Sequence, residues 1–256
     1  MRISLFGDSL TAGTPGVSSM GALVAMLPEH RFANHGRAGD TVASLYRRIA
    51  QNRHWDLADV AVLWVGVNDV LARVSCGHSI LKRLMRQPWA RSGSEFRDVY
   101  GQTLELLRHR AGNVLVVSPL LIGEDLSNPW NRELGVLRRV VAAMPASFGN
   151  VHHLDVRPAL ADRLRGRPAS TYIPRSVASI GWDALLLRTP ARVDAVSSRR
   201  GLRVTLDGVH LNSMGAEAVA RAMRQAIMRV TRSGEARSRC RASSIQASGT
   251  STAEVS

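Results

Sequence analysis

The stretch Val60-Ala61-Val62-Leu63-Trp64-Val65 is an unbroken apolar run, and Gly66-Val67-Asn68-Asp69 follows it directly. A run that is apolar at every position, rather than at alternate positions, is typical of a parallel strand covered by helices on both faces. The polar residues after it then lie at the carboxyl end of that strand, where open α/β sheets bind their ligands. The stretch therefore predicts an α/β fold and one sheet edge at which to look for a site.

Similar apolar runs recur along the chain, and helix-like patterns separate them. The runs predict strands at residues 3–6, 31–34, 60–65, 114–118 and 151–154. Helical spacing of apolar residues predicts helices at 19–26, 42–51, 93–108, 131–143 and 213–229. This alternation indicates a doubly wound sheet of parallel strands with right-handed crossovers.

The composition is that of a folded protein, because the 256 residues are 45% hydrophobic and 21% charged. We predict one domain over residues 1–232. Residues 157–203 break the strand and helix alternation, and we interpret them as a long insertion or loop. Residues 233–256 are mostly small and polar or basic, which predicts a disordered tail.

The insertion contains one apolar patch, and we weigh two interpretations of it. As an exposed patch, it is expected to form a lid over the ligand site at the carboxyl edge of the sheet. As a buried patch, it is expected to form an extra helix on the core. The patch comprises Ile180, Trp182, Leu185, Leu186 and Leu187.

The chain carries a formal net charge of +14 at pH 7, and 34 residues are lysine or arginine. Such a charge is typical of proteins that bind polyanions. Here every basic residue except Lys82 is arginine, and no aromatic residues alternate with them as on a base-stacking surface. We therefore do not expect a nucleic-acid partner, although a polyanion-binding scaffold stays the alternative to an enzyme.

Cysteine usage and the start of the chain bear on the compartment. Cys240 lies in the predicted tail, so we expect no disulfide with Cys76. No apolar segment precedes the first motif, and no run approaches the roughly 18 apolar residues of a membrane helix. We expect a cytoplasmic protein without a membrane span, and the sequence leaves its oligomeric state open.

Three residues in two separate segments are of the types that form a nucleophilic triad. Gly7-Asp8-Ser9-Leu10 places a serine after the first predicted strand, but a serine hydroxyl is a weak nucleophile without a base. Asp207-Gly208-Val209-His210 supplies that base. Its carboxylate is placed to accept from one imidazole nitrogen and to leave the other free for the serine proton.

Two further segments offer donors for an oxyanion. Asn34-His35-Gly36-Arg37-Ala38-Gly39-Asp40-Thr41 follows the second predicted strand, and Asn68 follows the third. A glycine lets its backbone N–H approach a substrate oxygen, and an asparagine amide is a neutral donor. With the N–H of Ser9 these segments predict a three-donor hole, whose single donors contribute about 3–4 kcal/mol each. The residues alone leave Gly36 and Gly39 as alternatives.

These four segments, in this order, resemble the motifs of the SGNH or GDSL hydrolase family. The resemblance covers about residues 2–229 and implies a flavodoxin-like, three-layer α/β/α sandwich with a five-stranded parallel sheet. It implies that Ser9 is the nucleophile, that His210 and Asp207 complete the triad, and that Ser9, Gly39 and Asn68 form the oxyanion hole. It also implies hydrolysis without a metal or cofactor. The 157–203 segment is longer than the family pattern.

Other polar residues near these segments keep two interpretations. Asp8 and Asp69 are either acid catalysts or structural. We favour a structural role, because a carboxylate beside an oxyanion hole opposes the developing charge. His35 lines the pocket or packs elsewhere, and Arg37 holds an anionic substrate group or is solvated. His152 and His153 lack a cysteine or carboxylate at ligand spacing, so we expect no zinc site.

The resulting expectation is a serine esterase that forms a covalent acyl-enzyme on a small-molecule ester. We favour a small acyl or acetyl ester, and we expect the lid in residues 157–203 to cover the catalytic cleft and to set acyl-chain preference. The alternatives are a lysophospholipase or thioesterase acting on longer acyl chains and the non-catalytic scaffold.

Overall fold

The computed structural model describes the backbone of residues 1–52, 55–165, 170, 172–173, 187 and 189–249, and the side chains as far as Arg232. Within these residues, strands β1 to β5 form one sheet in the order β2-β1-β3-β4-β5, and all neighbouring strands are parallel. This is the flavodoxin-like strand order. The strands are β1 (Arg2–Gly7), β2 (Arg31–Gly36), β3 (Ala58–Trp64), β4 (Ala111–Val117) and β5 (Val151–Leu154).

All the predicted strands are present, and their ends differ from the prediction by no more than three residues. The run that predicted the fold forms the centre of the sheet, where β3 pairs with β1 on one side and β4 on the other. Its residues from Val60 to Val65 are each at most 1% exposed. Burial on both faces explains why this strand is apolar at every position.

Helices cover the sheet in two groups, which gives the predicted α/β/α sandwich. In one group α2 contacts α10, and α10 contacts α8; in the other α3 contacts α6, and α6 contacts α7. The helices are α1 (Ser9–Ala12), α2 (Ser19–Met26), α3 (Val42–Gln51), α4 (Val67–Val74), α5 (Cys76–Leu84), α6 (Gly93–Arg108), α7 (Pro129–Ala143), α8 (Arg157–Leu164), α9 (Pro190–Arg199) and α10 (Ser213–Gly249). None of the described helices is both long and apolar enough to cross a bilayer.

Two predicted boundaries need correction. The 157–203 segment is not a loop throughout, because α8 and α9 form its two ends, each with a proline in its first turn. The last helix does not end at Arg229 but continues to Gly249. Every residue of the apolar patch except Leu187 lies outside the described residues, as do the side chains after Arg232. The lid therefore stays a prediction, as does disorder at residues 250–256, whereas the backbone of residues 233–249 is helical.

Candidate active site

The structure brings Ser9, His210 and Asp207 together at the carboxyl edge of the sheet. The Ser9 Oγ lies 2.9 Å from His210 Nε2, and His210 Nδ1 lies 2.8 Å from Asp207 Oδ2. All three side chains are buried, at 7%, 5% and 1% exposure. The nucleophile, base and orienting carboxylate predicted from sequence thus form one hydrogen-bonded chain of the kind found in serine hydrolases.

The turn that carries Asp207 and His210 is held by its own aspartate. Asp207 Oδ1 accepts the backbone N–H of Val209 at 2.9 Å and that of His210 at 2.8 Å. Gly208 between them has a φ of +89°, a conformation that strains other residues. Burial raises the pKa of Asp207, but His210 and these hydrogen bonds outweigh burial and hold the pKa below its ordinary value. Asp207 therefore stays ionised and fixes the imidazole.

Glu124 anchors the segment just before this turn, a role that no sequence motif indicates. Its buried carboxylate accepts the backbone N–H groups of Arg203, Val204 and Thr205 at 2.8–3.0 Å. It also accepts the Thr205 hydroxyl at 2.8 Å, and Thr205 Oγ1 in turn accepts the Gly208 N–H at 3.1 Å. One side chain after β4 therefore ties the triad turn to the sheet.

The three candidate oxyanion donors line the same cavity as Ser9 Oγ. Among the described residues, no acceptor is found for the backbone N–H of Ser9 or of Gly39. Asn68 Nδ2 donates to the Asp40 carbonyl at 3.1 Å and reaches Asp8 Oδ2 only at 3.4 Å, near the limit for a hydrogen bond. Two backbone donors are thus free, and one amide hydrogen is weakly held.

The choice between the two glycines follows from their N–H groups. The Gly36 N–H donates to Asn34 Oδ1 at 2.9 Å, and Gly36 does not line the cavity. Gly39 lines the cavity and has a φ of +79°. The geometry therefore favours Gly39 as the oxyanion donor.

Asp8 and Asp69 both bond backbone N–H groups, as a structural role requires. Asp8 Oδ1 accepts the Leu10 N–H at 3.0 Å. Asp69 accepts the N–H groups of Val42 at 2.9 Å and Ala90 at 3.1 Å, and so joins α4 to the start of α3 and the segment before α6. Burial raises the pKa of each carboxyl to about 7. Asp8 is therefore largely neutral below pH 7, which reduces its repulsion of an oxyanion.

Asp69 predicts an unusual dependence of stability on pH. Because its pKa is about 7 in the folded state and near 3.8 when unfolded, folding takes up a proton between these values. Its contribution to the free energy of unfolding is therefore largest below about pH 4, falls as pH rises to 7, and is constant above. The free energy of unfolding of Asp69→Asn, relative to that of wild type, should therefore increase by about 2–3 kcal/mol from pH 5 to pH 8.

Chemical denaturation at the two pH values measures this gain. Asp98→Asn, which removes an exposed carboxylate from α6, is the matched control and should keep the wild-type pH dependence. A pH-independent difference between Asp69→Asn and wild type would refute the assigned burial of charge.

The cavity beside the triad has a volume of about 320 Å³. Such a volume lies at the lower end of the range for small-molecule sites. Its walls include apolar side chains from several elements, namely Leu10, Pro15, Val67, Leu71, Leu81, Met85 and Val209. A larger cleft of about 880 Å³ lies near α9 and the start of α10, but it contains no triad residue. We therefore take the smaller cavity as the site.

The remaining polar residues considered from sequence lie elsewhere. His35 stacks on Phe6, with ring centroids 4.8 Å apart, and Arg37 is exposed; neither lines the cavity. His152 Nε2 pairs with Asn113 at 3.0 Å, and His153 Nε2 pairs with Ser118 at 2.7 Å. In the part of the chain that the structure describes, no cluster of three or more His, Cys, Asp or Glu residues is arranged to hold a metal ion.

Comparison with known families agrees with this geometry. The model of the GDSL-like Lipase/Acylhydrolase family matches residues 5–218, which is most of the chain. The chain belongs to this family. Membership makes it an ester-bond hydrolase rather than a non-catalytic polyanion-binding scaffold. No curated protein matches this family member at a significant level.

Solved structures similar to this GDSL-family chain share its fold at low sequence identity. A variant of Axe2, an acetylxylan esterase from Geobacillus stearothermophilus, is 16% identical with a TM-score of 0.62 over 88% of this chain and 92% of its own. The acetyl xylan esterase AlAXEase is 21% identical with a TM-score of 0.62 over 89% and 100%. A member of the lipolytic protein G-D-S-L family from Veillonella parvula is 17% identical with a TM-score of 0.61 over 90% and 99%.

Proposed function

We propose that this protein hydrolyses a carboxylic ester through a covalent acyl-enzyme on Ser9. The observation that carries the proposal is the chain of hydrogen bonds from Ser9 Oγ through His210 to Asp207. Beside it lies a cavity lined by Ser9 and Gly39, whose backbone N–H groups have no acceptor among the described residues. An activated serine and free oxyanion donors facing one cavity are what acyl transfer requires.

In the first half-reaction, the Ser9 Oγ attacks the ester carbonyl while His210 Nε2 takes its proton. The oxyanion forms beside the N–H groups of Ser9 and Gly39 and the Asn68 amide. When the intermediate collapses, His210 returns the proton to the leaving alcohol. Water then attacks the acyl-enzyme with His210 again as the base, and the acid is released. Asp207 stays ionised throughout and stabilises the imidazolium.

We propose a small acyl or acetyl ester as the substrate, a choice supported by the acetylxylan esterase names of similar structures. A second candidate is favoured by the cavity itself. Leu71 of α4 and Leu81 and Met85 at α5 give it an apolar wall, which an acetyl group would leave largely uncovered. Burial of longer chains there would contribute about 0.8 kcal/mol per methylene. Esters with longer acyl chains are therefore the competing substrate class.

The purified protein and a panel of p-nitrophenyl esters from acetate to decanoate test the function and rank these two classes. We expect saturable turnover of at least one ester. A profile that peaks at acetate supports the first class, and one that rises with chain length supports the second. The absence of turnover across the panel in a folded protein would contradict the proposal.

The apolar wall gives a further prediction on chain length. Leu81→Trp should narrow the cavity and lower the ratio of octanoate to acetate kcat/KM about tenfold or more, because the larger ring occupies acyl space. Leu84→Trp is the matched control, since Leu84 lies on the same helix, is 78% exposed and does not line the cavity. An unchanged ratio in Leu81→Trp would place the acyl chain elsewhere.

A further inference from the structure

Lys82 of α5 is a buried lysine beside the catalytic cavity. It is the one lysine among 34 basic residues, and it is 4% exposed. The ion pairs found among the described residues do not include it. Burying an ammonium without an ion pair is costly, so its hydrogen bonds indicate why it is there.

Those hydrogen bonds converge on Gly39. Lys82 Nζ donates to the Gly39 carbonyl oxygen and, at 2.7 Å, to Gln87 Oε1. Gln87 Nε2 donates to the same carbonyl at 3.0 Å and to Ser44 Oγ at 3.0 Å. The side chains of Lys82 and Gln87 therefore both bind the Gly39 carbonyl, which lies on the loop between β2 and α3.

These two hydrogen bonds hold the backbone conformation of Gly39, the candidate oxyanion donor. The Gly39 carbonyl and the Asp40 N–H belong to one peptide group. The Asp40 N–H donates to the Arg37 carbonyl at 3.0 Å. With this peptide held from both sides and φ at +79°, the Gly39 N–H keeps one orientation and has no described acceptor of its own. A Cβ at position 39 would lie 3.2 Å from Lys82 Nζ, so glycine also gives the ammonium its room.

The charge of Lys82 lies in a favourable place as well. Its side chain lines the cavity together with Ser9, Gly39 and Asn68. A positive charge in a cavity shielded from water stabilises a developing oxyanion more than it would in bulk solvent. Burial lowers the pKa of Lys82, whereas Asp69, Asp40 and Asp8 raise it.

We propose that Lys82 is a positioning residue of the oxyanion hole. It holds Gly39 by a hydrogen bond to the Gly39 carbonyl, which Gln87 also binds, and it places a positive charge beside the hole. The inference rests on the proposed function, because Lys82 acts on the oxyanion that forms when Ser9 attacks the ester. Its contribution belongs to the transition state, so its loss should lower kcat more than it changes KM.

Kinetic variants test the proposal against a matched control. Lys82→Met should lower kcat about ten- to hundredfold with little change in KM, and Lys82→Arg should restore part of the loss. Gln87→Leu should give a smaller loss, since Lys82 keeps its bond to Gly39. Arg83→Met removes the same charge from an exposed neighbour on α5 and should behave as wild type.

A spectroscopic test uses the wild-type protein and avoids the risk that Lys82→Met fails to fold. Lysine labelled with ¹³C at Cε gives a single side-chain signal, because the chain has one lysine. An alkylboronic acid forms a negatively charged tetrahedral adduct with an active serine and so mimics the oxyanion. The adduct should shift the Lys82 signal and raise its titration midpoint, and Ser9→Ala should show neither change.

The groups around Lys82 that also titrate or carry charge are Asp8, Asp40, Asp69, His78 and His210. Because the proteins with and without boronate are compared at each pH of the titration, these groups differ between the two only through the adduct. If the boronic acid inhibits ester turnover but leaves the Lys82 signal unmoved, or if Lys82→Met matches Arg83→Met in kcat, Lys82 has no such role. If wild type shows neither turnover nor inhibition, the proposed function fails instead.

Discussion

Replacement of Ser9 by alanine should lower kcat for any ester substrate about a millionfold, to the residual rate that binding and oxyanion donors alone support. The reason is that the Ser9 Oγ, which lies 2.9 Å from His210 Nε2, is the hydroxyl placed to give its proton to the base. The fold should survive, because the variant loses only the Ser9 hydroxyl. Steady-state hydrolysis by variant and wild type, with circular dichroism to check folding, measures the effect.

The matched control for this variant is Ser118→Ala. Ser118 also follows a strand of the sheet, is 1% exposed, and lies 2.7 Å from a histidine, His153. It does not line the cavity, so its loss should leave kcat unchanged. Activity of Ser9→Ala within tenfold of wild type, or collapse of activity in Ser118→Ala, would contradict the assignment of the nucleophile.

Replacement of Asn68 by alanine should lower kcat about a hundredfold or more with little change in KM. The amide hydrogen that reaches Asp8 at 3.4 Å is weakly held in the free protein and becomes available when a substrate oxygen develops charge. Asn68→Asp is the informative companion, since it keeps the size of the side chain but replaces the donor by an acceptor. It should be at least as inactive.

Initial rates over a range of substrate concentrations separate the two constants for the Asn68 variants. Because Asn68 also donates to the Asp40 carbonyl at 3.1 Å, melting temperatures are needed to show that the loop is intact. A change confined to KM would mean that the amide binds the ground state and is not an oxyanion donor.

The sheet could be predicted from sequence because its signal is local. Each strand is a short apolar run, and burial of both faces of β3 removes the polar positions that would confuse the pattern. Ser9 and the oxyanion segments followed from the same rule, since residues directly after parallel strands share one edge. Asp207 and His210 follow no strand, and they were predicted instead from the base and orienting carboxylate that a serine nucleophile requires. Their distances could not be predicted, but the residues that meet there could.

The α4 and α5 region was missed because its signal is weak. Both helices are short, and Ser75, Cys76 and Gly77 interrupt the helical pattern between them. Ser75 ends the first helix and caps the second, a double role that a pattern of apolar residues does not reveal. Lys82 was noticed only as the exception among arginines, although a single lysine in an apolar stretch was a signal of its own.

Long-range hydrogen bonds were also out of reach. The choice of Gly39 over Gly36 depends on which N–H is already bonded, which no spacing reveals. Glu124 accepts hydrogen bonds from the backbone of residues about 80 positions later in the chain. These contacts depend on how the segment after β4 packs against the segment before Asp207.

The central claim is that Ser9 is the activated nucleophile, and covalent labelling tests it most directly. The purified protein should react with a fluorophosphonate probe to give one adduct per chain. Peptide mass spectrometry should place this adduct on Ser9, and Ser9→Ala should remain unlabelled under the same conditions. An adduct on Ser118 or any other residue, or ester hydrolysis that continues while Ser9 stays unmodified by the probe, would contradict the account.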